Sequence, residues 1–249
     1  MPSLWDELNA KVSAFYKQGN YSKAIKFAKQ ALDVAKQTFG PDHPSVATSL
    51  NNLAGIYKAQ SELSDAEPLY EQALLIRKNA LGPDHPAVAD SLNNLGVLYK
   101  ELGDFFEAET MHKQALTIRE KSLGQDHLDV AISLNNLAVL YDSWRKFPES
   151  EQMHIRALQI IEKNLGRHHV VVATSLNNLA GIYKTQGMYE KAEPLYQRAL
   201  AIREKIHGPN HPSVAIVLRN LSTMYKRAGR TDEAQKLKDR ARAIEAKNK

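Results

Sequence analysis

Six residues, Ser49-Leu50-Asn51-Asn52-Leu53-Ala54, return at Ser91 to Gly96, Ser133 to Ala138 and Ser175 to Ala180, each copy 42 residues after the last. A worn version, Val217-Leu218-Arg219-Asn220-Leu221-Ser222, keeps the same interval. Between full repeats the likeness is close: His43 to Asp84 and His169 to Asn210 agree at 26 of 42 positions. A period of roughly 20 to 50 residues belongs to solenoids and arrays, in which each unit buries its apolar face against its neighbours. One step back from the first full copy, Leu8, Asn9 and Phe15 take the places of Leu50, Asn51 and Tyr57 in a degenerate opening copy. The expected organisation is a single array of six repeats: 1–42, 43–84, 85–126, 127–168, 169–210 and a capping 211–249.

Within each repeat the apolar spacing is helical. Trp5, Leu8, Val12, Phe15 and Tyr16 share one face of a segment that ends at Gly19-Asn20. Ala24, Ile25, Ala28, Leu32 and Ala35 do the same between Ser22 and Thr38. In the first full repeat the helices are predicted over about Pro44 to Gln60, with Val46, Leu50, Leu53, Ala54 and Tyr57 buried, and about Ser64 to Ala80, with Ala66, Leu69, Tyr70, Ala73, Leu74 and Ile76 buried. The border Gly40-Pro41-Asp42-His43-Pro44 reads as punctuation: a glycine in the left-handed conformation ends one helix, a polar pair caps the next, and Pro44 fits its first turn. The fold class predicted is all-α, a solenoid of helical hairpins.

The pattern Leu53, Ala54, Tyr57, then Ala66, Tyr70, Ala73 resembles the tetratricopeptide repeat. Four strings, Leu176 to Ala180, Ala192 to Tyr196, Arg198 to Glu204 and Leu81 to Pro86, are similar to the 42-residue form found in kinesin light chains and their bacterial relatives. The resemblance implies a right-handed superhelix of six such hairpins, with the first helix of each lining a concave groove that takes an extended peptide. No heptad segment of the kind that holds a kinesin motor subunit precedes Leu8, so the chain is expected to be either an excised repeat domain or, the preferred reading, a self-contained relative of bacterial type rather than a motor subunit.

On the first helix, the side opposite the core stripe carries Ser45, Thr48, Asn52, Gly55 and Ala59. One member recurs in all five copies: Asn52, Asn94, Asn136, Asn178 and Asn220. A carboxamide both donates and accepts, so a row of them suits a peptide backbone. They equally suit bonds that tie neighbouring repeats together, and both roles stay open. Thr48, Val97, Lys100, Ile132, Val139, Thr174 and Lys184 are secondary groove candidates, the apolar ones as side-chain pockets and the lysines as attractors of an acidic ligand. Asp142 breaks the row Lys58, Lys100, Lys184, Lys226. Arg77, Arg119 and Arg203 form a second basic row, interrupted by Ile161 and read first as solvated or as inter-repeat ion pairs.

Other chemistry is poorly served. There is no cysteine, and no P-loop, dinucleotide, nucleophile-elbow or zincin motif. Five recurring histidines, His43, His85, His127, His169 and His211, fall in successive loops about 10 Å apart, too far to share a metal ion, and are read as structural. A non-enzymatic protein without metal or cofactor is expected. The net charge of +5 leans toward an acidic protein or peptide partner and is too small and dispersed for nucleic acid. With no long apolar run and no signal-like start, the expected location is cytoplasmic, away from membranes. The basic segment Thr231 to Lys249 reads as the capping helix or as an arm for an acidic surface. A passive or self-associating spacer, or the sensor segment of a larger signalling ATPase, is the rival reading.

Overall fold

The computed structural model describes residues 3–248, which contain twelve α-helices and no strand. The chain divides into two compact units, Met1–Gln125 and Asp126–Lys249. The first holds α1 (Leu4–Lys17), α2 (Tyr21–Phe39), α3 (Pro44–Ala59), α4 (Leu63–Leu81), α5 (Pro86–Leu102) and α6 (Phe105–Leu123). The second holds α7 (Leu128–Ser143), α8 (Phe147–Leu165), α9 (Val170–Thr185), α10 (Tyr189–His207), α11 (Pro212–Arg227) and α12 (Thr231–Lys247). In both units each odd helix packs on the even helix that follows, and within a unit that even helix packs on the next odd one. The helix boundaries agree with the periodicity to within a residue or two.

Small residues set the closeness of the hairpins. Ala54, Ala66 and Ala73 have no exposed surface, and Tyr70, at 3%, fills the space beside them. The odd helices are buried more widely than one stripe: within their units α3, α5, α9 and α11 are each flanked by even helices on both sides. Ile56, Leu98, Ile182 and Met224 are fully covered although the stripe did not include their positions. Thr48, Asn52 and Gly55 are accordingly half-buried rather than open, while Thr174 and Asn178 are exposed.

The five loop histidines have a specific structural task. Each is the N-cap of an odd helix, its Nδ1 accepting the backbone N–H two residues on, at 3.1 to 3.2 Å. This satisfies one orphan donor of the first turn, and Pro44, Pro86 and Pro212 follow where an N–H would be idle. The border glycines differ from the expected left-handed cap. Gly40, Gly82, Gly124, Gly166 and Gly208 combine φ of 81° to 91° with ψ of 155° to 159°, an extended mirror-image conformation. Glycine alone holds it without strain. The left-handed cap occurs instead inside a hairpin, at Gly103 (φ 90°, ψ 3°).

Candidate functional site

The repeated asparagine sits on the odd helices at the edge facing the preceding repeat. Asn52 Nδ2 donates to Asn9 Oδ1 at 2.9 Å, Asn94 Nδ2 to Asn51 Oδ1 at 3.4 Å, and Asn220 Nδ2 to Asn177 Oδ1 at 2.9 Å. For these three, the inter-repeat role foreseen as the alternative is present in the geometry. Asn178 makes no such bond and is exposed; Asn136 is half-buried and makes no side-chain bond within its unit.

The repeats also differ on the even helices. At one register they carry Tyr70, His112, His154 and Tyr196 in turn. His154 Nδ1 is 3.0 Å from Asn135 Oδ1, the atom equivalent to those that accept from Asn52, Asn94 and Asn220 in the other repeats. His112 makes the same bond to Asn93 Oδ1 at 2.9 Å. Both imidazoles are 1% exposed. Burial pushes each down to about 4, with Lys100 adding to the effect on His112, so both are neutral. With the amide oxygen as acceptor, Nδ1 carries the hydrogen.

The tyrosines lie beneath glycines. A Cβ placed on Gly55 would stand 3.5 Å from Tyr70 Oη, and one on Gly181 would stand 3.7 Å from Tyr196 Oη. Where the even helix has histidine, this position is valine, Val97 and Val139. Each Gly/Tyr repeat opens a pocket: about 320 Å³ in the first unit, reaching Asn9, Asn52 and Asn94, and about 350 Å³ in the second, reaching Asn177, Asn178 and Asn220. The second also touches Val139, Asp142 and Lys184. Sequence reasoning missed Tyr196 and took Asp142 only as a gap in the lysine row. The Gly/Tyr against Val/His alternation, visible by aligning the repeats, was the available signal.

The secondary candidates divide. Ile132 at 49% and Val139 at 40% are exposed; Val97 is half-buried, as is Lys100. Thr48 accepts from half-buried Arg77 Nη2 at 3.5 Å and Thr174 from buried Arg203 Nη2 at 3.2 Å. Lys58 is paired with Glu101 at 3.3 Å, whereas burial, and then Arg227, lowers Lys184 from the usual lysine range.

The arginine row is not solvated. Arg119 and Arg203 are 6% and 7% exposed, and each reaches from its even helix to the odd helix before it. Arg77 and Arg203 also grip the odd helix after it, at Ala87 O and Ser213 O. Arg119 pairs with Asp90 at 2.5 Å. These are internal staples, and Ile161 replaces one with an apolar contact.

The last hairpin carries a concentrated positive surface. A concavity of about 510 Å³ is lined by Arg219, Lys226, Lys238 and Arg242 with Ser222 and Thr223. Arg219 is paired with Glu245; the other three have no ion pair among the described residues. Buried Ala234, Ala241 and Ile244 dock α12 against its partner, so the segment is an integral helix rather than an arm. Among the described residues no group of acidic, histidine or cysteine side chains could hold a metal ion, and no helix is long and apolar enough to cross a membrane.

Residues 8–79, 50–121, 98–163, 145–205 and 171–245 match the family model described as Tetratricopeptide repeat. A search of curated proteins returns no match. Among solved structures, BtubC (BKLC) from P. vanneervenii is similar at 25% identity, over 96% of this chain and 91% of that one, with a TM-score of 0.74. A Podospora anserina protein of kinesin-light-chain type, with nearly identical TPR-like repeats, is 29% identical over 83% of this chain and 98% of its own, TM-score 0.72. A Rap protein, solved in complex with Competence and Sporulation Factor, shares the fold at 17% identity, over 99% of this chain and 77% of that one, TM-score 0.68.

Proposed function

Because the chain belongs to the tetratricopeptide repeat family, we propose that it is a non-enzymatic scaffold that binds an extended peptide or protein segment along the outward side of its odd helices. One observation carries the reading: on those helices the packed positions repeat almost unchanged, while the outward positions vary around a carboxamide that, at Asn178, has no side-chain hydrogen bond among the described residues. A scaffold needs constancy inside and variety outside; a passive spacer needs only the first. The kinesin-light-chain likeness and the Rap protein complexed with its factor support the same class of partner. Lys184, Lys226, Lys238 and Arg242 favour an acidic segment. A cytoplasmic site of action is part of this proposal.

The test is a peptide-array screen of the wild type beside an Asn136→Ala/Asn178→Ala variant, with melting temperatures and light scattering on both. Loss of peptide signal at unchanged melting temperature is the expected result. An unbound array together with concentration-dependent self-association would favour the spacer.

A further inference from the structure

We propose that the pocket of the second unit around Asn178 and Tyr196 is a subsite for a primary carboxamide, the side chain of a glutamine or asparagine in the bound segment. The inference rests on the groove reading above and adds to it the chemistry of one position.

Tyr196 is wholly buried, and its hydroxyl has no hydrogen-bond partner. Buried hydroxyls are nearly always paired, so this group waits for something. It lies under Gly181, which sets no side chain over it; the two repeats with histidine below have valine there. Two more lining groups keep spare capacity. Asp142 has a buried Oδ1 with no partner among the described residues, while Ser150 hydrogen-bonds its carboxyl group. Asn178 is exposed and makes no side-chain hydrogen bond among the described residues, whereas Asn220 is committed to Asn177. The pocket therefore holds an acceptor, a hydroxyl and a complete carboxamide, in about 350 Å³, near the low end of ligand-site volumes.

Charge decides among the side chains that fit. Lys184 lines the pocket without an ion pair among the described residues, and Arg227 adds to the positive field at it. A lysine or arginine of the ligand would be repelled by this side. A carboxylate would meet Asp142, whose environment already disfavours negative charge through burial. An apolar side chain would leave Asp142 Oδ1 and Tyr196 Oη unpaired, the arrangement by which polar sites reject isosteres. A primary amide is neutral, gives N–H to Asp142 and offers its oxygen to Tyr196 and Lys184, while Asn178 can both give and take.

The experiment begins with selection of phage-displayed random 12-mers on the wild-type protein, followed by fluorescence-polarisation titration of the selected peptides and of versions with each Gln or Asn changed to Glu, Lys or Leu. Expected is one invariant Gln or Asn whose replacement weakens binding about tenfold, the scale of one or two lost hydrogen bonds. Tyr196→Phe should keep its melting temperature, since only an unpaired hydroxyl is removed, and should erase the preference for the amide. Gly181→Val, which sets a side chain over the hydroxyl, should do the same. Selected peptides without an amide preference, or a preference that survives Tyr196→Phe, overturn the subsite and leave the groove standing. A clear fall in melting temperature for Tyr196→Phe also overturns it, because the hydroxyl then has an internal partner. If no peptide is selected, the groove and the subsite fall together.

Discussion

Replacing both buried histidines with glutamine should remove most of the protein's sensitivity to mild acid. In the folded chain burial holds His112 and His154 neutral down to about 4, against 6.5 for the free side chain. Between those values the unfolded chain binds more protons than the folded one, so stability rises with pH. The contribution is fully present above about pH 6.5, is lost progressively as pH falls, and is gone below about 4. At about 1.4 kcal/mol per pH unit, the gap amounts to about 3 kcal/mol per histidine. At pH 5 about 2 kcal/mol of that is already lost from each. For a chain of this length each kcal/mol moves the melting temperature by roughly 2 to 4 °C, so the wild type should melt many degrees lower at pH 5 than at pH 7.5. Glutamine keeps a donor for Asn93 and Asn135 without a titrating ring, and the five capping histidines are common to both proteins and cancel. The assay is calorimetry of wild type and His112→Gln/His154→Gln across that range. Parallel pH profiles would refute the assignment of the two imidazoles as the groups forced to stay neutral.

Arg203 is buried with no carboxylate partner among the described residues, its Nε unpaired, and burial lowers its pKa from the usual arginine value. Ile161 shows that the scaffold accepts an aliphatic side chain at this register, 3% exposed. Arg203→Ile should therefore change stability by less than about 1 kcal/mol, while Arg203→Ala, which also opens a cavity, should cost about 2 to 4 kcal/mol by urea denaturation; equal losses would show that the guanidinium bonds carry the staple. Ser61 and Arg145 have φ of 63° and 61° at the hairpin turn where other repeats use Gly19, Gly103, Gly187 and Gly229. Ser61→Gly is expected to stabilise by about 1 kcal/mol, measured as a raised urea midpoint. Gly166→Ala, at φ 81° and ψ 155°, should cost about 1 to 3 kcal/mol although nothing lies within 4 Å of the added carbon, which separates backbone strain from crowding.

The sequence by itself determined the family, the twelve helices and their pairing. These rest on local periodicity, on alanines at fixed places and on a His-Pro or His-aliphatic border, all of which act over a few residues and are repeated often enough to be read without ambiguity. It also supplied the row Asn52 to Asn220 and the flanking variable positions, since a face follows from 100° per residue. Tertiary structure decided what each polar group is spent on. Whether an asparagine is committed depends on a residue of the preceding repeat, 43 positions away for Asn220 and Asn177, and the equivalent residue Asn135 is bonded to a histidine 19 positions further on, His154. Arg203 is a staple and not a solvated cation because helices on both sides close over it. The ψ of the border glycines is likewise set by the path the chain must take between packed helices. Periodicity specifies which side of a helix a residue occupies; only the packed arrangement specifies which partner is already in place there, and so which groups remain for a ligand.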